Sequence, residues 1–309
     1  MPVEAIHLSA FEDTLTAAPA LVRRMIPRHL VDAGRAGALF VDLPYFHGFA
    51  RGLVRYVLGT TQAPSRWGDI FHREAPIRVA IELGEAGARL TRTSSTVEAG
   101  EWVRALALGY VSHAALDTAL HPLINRLAAE RAAALSDSAA RQHGEVEKIH
   151  SVLFHAERYG FDFLGTPTLG AHIHADFSSL VKPGPVRDAV HEAITRTLGR
   201  APPERAFAGW ARGYQQFRWI LVSPLGKRVC PRAEQERERA ATYDAVDFPR
   251  RYQQALLRSR AWVEAMAGYL DAGVFDEEAR TLLHCSIPEQ TLDPGPEALA
   301  RVGEAARSS

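Results

Sequence analysis

Apolar residues recur every three or four positions over 101–134, 136–159, 186–199, 203–222, 233–243 and 247–272. That period matches a helix with one buried face, so each of these segments is expected to be helical. Alanine, leucine, arginine and glutamate dominate the chain and β-branched runs are short, which favours helix on propensity as well. The expected fold class is all-α, a multi-helical bundle. One stretch departs from the pattern. Segment 76–100, PIRVAIELGEAGARLTRTSSTVEAG, alternates briefly and ends in a threonine- and serine-rich loop, which reads as a strand pair or an irregular excursion.

Glycine and proline cluster at 42–48 (DLPYFHG), 62–69 (QAPSRWGD), 163–170 (FLGTPTLG), 181–185 (VKPGP) and 201–203 (APP), where helices are expected to end. The last dozen or so residues read as frayed. No internal repeat or long low-complexity linker divides the chain. The expected organisation is a metal-binding helical core over 1–175 with a helical C-terminal part over 176–309 packed on it as one continuous domain.

With 309 residues and 47% apolar content the chain can bury a sizeable core. Lysine plus arginine equals aspartate plus glutamate at 36 each, so no net field gathers polyanions, and no stable nucleic-acid partner is expected. Acidic residues Glu4, Glu12 and Asp13 break any secretion signal, and arginines interrupt every run approaching the roughly 20 apolar residues of a membrane span. A cytoplasmic location is the expectation. Cys230 and Cys285 are the only cysteines, too few for a cysteine-based zinc site. Any metal must therefore sit on nitrogen and oxygen.

Such donors occur at a regular stride. His113, Asp117 and His121 lie four apart in LGYVSHAALDTALHPLIN, one helical turn above each other, among Leu106, Leu108, Tyr110, Val111, Leu116, Leu120 and Leu123. Three ionisable groups on an apolar face need partners, and a divalent cation is an efficient one. Pro122 is expected to kink or stop this helix. His143 and Glu147 form a second four-residue clip, with His150 one turn on. Imidazole and carboxylate are ordinary zinc ligands. Taken singly, the first clip also reads as a hydrogen-bonded pair, and the second as part of a solvated face with Glu145, Lys148 and Glu157.

The motifs ALGYVSHAALDTALHPLIN and HGEVE, with GALFVDLPYF, GDIFHREAP and IHLSAFED upstream, resemble the zinc-dependent phospholipase C family in order and residue type. The match runs from His7 to Glu147. The resemblance implies that Asp42, His72, His113 and Asp117 form one metal site, with Asp117 bridging to a second metal near His7. His143 and Glu147 would hold a third, with His121 as an extra ligand. It further implies two or three Zn2+ ions, other divalent metals being compatible with such donors, and a small phosphoester or phospholipid headgroup as substrate. Single-strand-specific zinc nucleases share the arrangement. Asp42 is the expected catalytic residue, as ligand and proton acceptor.

Two features differ from the secreted members. Their mature N-terminal tryptophan completes one zinc site, whereas this chain begins Met-Pro; their second histidine follows the aspartate by six positions, whereas His121 follows Asp117 by four. His121 thus ligates differently or not at all.

Elsewhere, His172, His174 and Asp176 superficially match a metallo-β-lactamase run, but the strand before it and the histidine after it are missing, and a loop with incidental histidines is expected. Trp210, Tyr214, Phe217 and Trp219 read as helix-packing aromatics, with a headgroup contact as the alternative. The expected function is a phospholipase C-type phosphoester hydrolase. Its alternatives are a non-catalytic metal-binding scaffold and a single-strand nuclease-like phosphodiesterase.

Overall fold

The computed structural model describes residues 4–57, 66–159 and 163–293, and every regular element among them is helical. The first half holds α1 (Glu4–Thr16), α2 (Ala20–Met25), α3 (Val31–Phe40), α4 (Phe49–Val57), α5 (Arg66–Arg73), α6 (Pro76–Leu90), α7 (Val97–Leu135) and α8 (Ala139–Tyr159). After α9 (Pro167–His172) and α10 (Ser178–Val181) come α11 (Pro185–Leu198), α12 (Arg205–Val222), α13 (Arg232–Glu238), α14 (Phe248–Ala272) and α15 (Glu277–Ser286). Residues 62–65 of one expected break, and the expected frayed tail beyond residue 293, lie outside the described residues.

Helix α7 is the axis. Its 39 residues span about 58 Å at 1.5 Å per residue, long enough for α3, α6, α8 and α14 all to pack along it. Pro122 does not stop it, which corrects the expected stop. The proline lies on the exposed side, where the carbonyl left without a donor can reach water, and helices pack along α7 on both sides of it. The helix ends at Ser136, whose φ of 52° is left-handed.

Segment 76–90 is also a helix and not a strand pair. It starts with proline in its first turn and is buried almost all round, because α7 and α11 both pack on it. A polar stripe is nonetheless present, Arg78, Glu82, Glu85 and Arg89 at steps of four, three and four, which the brief alternation at the start of the segment obscures.

Backbone meets backbone where α3 crosses α7. A Cβ at Gly109 would stand 1.9 Å from the Gly34 carbonyl oxygen, and one at Gly37 equally 1.9 Å from that of Leu106. Only glycine allows this approach. It brings the end of α3, and Asp42 just beyond it, against the middle of α7. The hydrophobic core runs as one cluster from Ala5 to Leu292, so the expected C-terminal part shares its core with the first half.

Candidate metal centre

Five elements converge on one point. His7 comes from α1, Asp42 from the turn after α3, His72 from the last turn of α5, His113, Asp117 and His121 from α7, and His143 and Glu147 from α8. Asp117 is the hub: its carboxylate oxygens lie 2.8 Å from His113 Nε2, 3.3 Å from His7 Nε2, and 3.6 Å from the Nε2 atoms of His72 and His121. Asp42 stands 3.3 Å from His72 Nε2 and 3.9 Å from His7 Nε2. Glu147 Oε1 is 3.2 Å from His121 Nε2 and 2.9 Å from His143 Nε2. The rings of His7 and His113 stack with centroids 3.9 Å apart.

Three overlapping groups have donor atoms close enough to hold a metal ion: His7, His113 and Asp117; Asp42, His72 and His113; and His121, His143 and Glu147. All eight residues named from the sequence thus fall in one connected cluster. His121, whose spacing left it open, faces Asp117 on one side and Glu147 on the other.

The far sides of the rings decide what the near sides offer. His72, His113 and His121 donate from Nδ1 to the carbonyls of Gly68, Ala38 and Leu292, each at 2.8 Å. His143 donates from Nδ1 to Asn125 Oδ1, also at 2.8 Å. With the neutral-ring proton fixed on Nδ1, each Nε2 presents a lone pair to the carboxylates. That orientation suits a cation. His113 Nε2 and Asp117 Oδ2 are buried with no hydrogen-bond partner despite their proximity, a costly arrangement for polar atoms unless a charge sits between them.

Without a metal, protons do part of that work. Burial alone would lower the pKa of His113, but Asp117 and Asp42 raise it to about 9. Burial likewise opposes the rise at His72 and His121, which Asp42, and Asp117 with Glu147, nevertheless produce. His7 goes the other way, to about 4, through burial and then the charge of His113. The carboxyls of Asp42, Asp117 and Glu147 are held below their usual range, since neighbouring histidines outweigh the upward push of burial.

Metal must therefore displace protons. At pH 7 each chain is expected to release more than one proton on binding zinc, read by calorimetry in buffers of different ionisation enthalpy. Uptake without release would contradict protonated imidazoles. The sign for stability follows. The folded-state pKa of His113, raised from 6.5 to about 9, stabilises the metal-free protein fully below pH 6.5, and this contribution fades as pH rises through 9.

The centre has one wet edge and one dry side. Asp42, Glu147 and His143 keep 14%, 14% and 19% side-chain exposure, whereas Asp117 keeps 3%. On the other side a small cavity is lined by His7, Asp117, His121, Glu147, His150 and Phe248 among others. His150 is buried there, its Nε2 3.2 Å from Thr242 Oγ1, and burial lowers its pKa to about 4.

Sequence reading passed over three contributors. Asn125 continues the four-residue stride from His121 and was legible by spacing alone. Tyr45, whose hydroxyl donates to Asp69 at 3.2 Å and whose ring lies 5.5 Å from that of His72, carried no such signal. The Leu292 carbonyl, a main-chain group 171 residues from His121, carried none either.

The remaining histidines stand apart. Arg35 reaches the carbonyls of Ala171, His172 and His174, and Asp176 accepts from Ser178, so the 171–177 segment is a braced turn outside the three donor groups. Trp210, Tyr214 and Phe217 are core residues, whereas Trp219 is 66% exposed. Among the described residues no helix is long and apolar enough to cross a membrane. No family model, curated protein or solved structure matches the chain.

Proposed function

We propose that the chain is a zinc-dependent phosphoester hydrolase holding two or three ions on His7, Asp42, His72, His113, Asp117, His121, His143 and Glu147. The observation that supports it best is the common orientation of four histidines, each anchored through Nδ1 with Nε2 turned inward to carboxylates. Clustered divalent cations on such donors clamp phosphate oxygens, neutralise accumulating charge and acidify water.

The chain's own residues have separable tasks in this reading. Asp42 stands at the wet edge with its carboxyl held ionised, positioned to accept a proton from attacking water. Asp117, nearly sealed from solvent, keeps the imidazoles in register. Glu147 and His143 complete the other end of the cluster at the same edge.

The test uses nitrophenyl phosphodiester and phosphomonoester substrates before and after chelation. Turnover is expected to vanish with the metal and return with zinc, and His113→Ala is expected to abolish turnover and lower the metal content, leaving the His121, His143 and Glu147 donors in place. A fully metallated chain inert toward both ester types would favour the scaffold reading, which the near-complete burial of His72, His113, Asp117 and His121 independently supports. X-ray absorption separates the two. A catalytic cluster keeps a coordination position for water, whereas a structural zinc is closed by protein donors.

A further inference from the structure

After α15 the chain turns back as a strap, 287–293, lying over the metal centre. Ile287 and Leu292 are fully buried and anchor it. The Glu289 carboxylate accepts from the backbone N–H groups of Ile77 at 3.1 Å and Arg78 at 2.8 Å. Leu292 N–H and Thr291 Oγ1 both donate to the His72 carbonyl, at 2.8 and 3.2 Å. The Leu292 carbonyl accepts from His121 Nδ1, and Asp293 Oδ1 accepts from Asn125 Nδ2 at 2.9 Å.

An ionised carboxylate only accepts hydrogen bonds, so Asp293 obliges Asn125 to present its NH2 group. Asn125 must then turn its oxygen toward His143, 2.8 Å away, and that oxygen demands a proton on Nδ1. His143 Nε2 is left bare beside Glu147. We infer that Asp293, working through Asn125, is a positioning residue that selects the His143 tautomer able to bind a divalent cation. The strap thereby sets the affinity of the His121, His143 and Glu147 subsite from the far end of the chain. This rests on the metal-binding reading above.

Without Asp293 the amide of Asn125 is free to flip. Its NH2 would then face His143 Nδ1 and drive the ring proton onto Nε2, blocking ligation. An aspartate at 125 cannot donate, so it would restore the productive tautomer when Asp293 is absent.

Zinc titrations of the full chain against a chromophoric chelator test this with Asp293→Ala and with Asp293→Ala combined with Asn125→Asp. Asp293→Ala is expected to weaken one binding step roughly tenfold to a hundredfold, the usual effect of losing an outer partner, and to leave the other steps unchanged. The double variant should recover most of that loss. The metal-free melting temperature of each should stay within about 3 °C of wild type, the scale of one partly exposed hydrogen bond. An unaltered step in Asp293→Ala, or a double variant no better than the single, would overturn the inference. A wild-type chain that takes up no divalent cation would instead overturn the metal reading itself.

Discussion

Asp117→Asn is expected to strip more metal than any other single substitution, leaving at least one cation fewer per chain. Asp117 is the carboxylate within 3.6 Å of four imidazoles. The amide keeps its shape but removes the charge that draws His113 to about 9, and it points an NH2 donor where a ligand oxygen stood. Oδ1 faces His7 and His121 and Oδ2 faces His113 and His72, so positions on both sides of the carboxylate weaken together. A ligand at a thousand times its dissociation constant adds about 4 kcal/mol to stability. For a domain this large that is roughly 6 °C of melting temperature, the drop expected when wild type is chelated. The variant should lose most of that response. Metal analysis together with melting curves with and without chelator would check it, and an unchanged wild-type melting temperature on full chelation would contradict a buried cluster.

Gly109→Ala is expected to be among the most damaging small substitutions away from the donors. Its Cβ would overlap the Gly34 carbonyl oxygen at 1.9 Å and crowd the Ala38 nitrogen at 2.8 Å. Backbone cannot rotate away as a side chain can, so α3 must shift off α7, at a cost of about 3 kcal/mol or more. The shift also pulls the Ala38 carbonyl from His113 Nδ1, so zinc affinity should fall where His113 ligates and persist at His121, His143 and Glu147. Gly268→Ala, with nothing within 4 Å of its new methyl, is the control. There, helix propensity predicts a gain of up to about 1 kcal/mol. Denaturant melts of the two variants would separate them, and similar midpoints would show that the α3–α7 crossing is not backbone-limited.

Helical geometry is local, and that is why the strides of His113, Asp117 and His121 and of His143 and Glu147 were legible before any coordinates. His7, Asp42 and His72 come from other elements, and no spacing rule joins them to α7; they entered through the ordered resemblance. Tyr45 and the Leu292 carbonyl were beyond reach for a further reason. A carbonyl belongs to every residue, so its role appears only once the chain has folded back. Segment 76–90 misled for the opposite cause, since its first residues alternate like a strand while the helical stripe of Arg78, Glu82, Glu85 and Arg89 shows only over the whole segment. Pro122 shows that a breaker acts on an isolated helix, whereas here α7 runs on through it with α3, α6, α8 and α14 packed along its length.

The central claim is that these eight side chains enclose more than one divalent cation. Anomalous difference maps from crystals of the full chain grown with zinc, recorded across the zinc edge, test it most directly. Two or three peaks are expected inside the cluster, neighbours about 3.5–4 Å apart, with His113 Nε2 and Asp117 Oδ2 on the same ion. Maps without a peak at Asp117, the histidines still paired to carboxylates under saturating zinc, would contradict it.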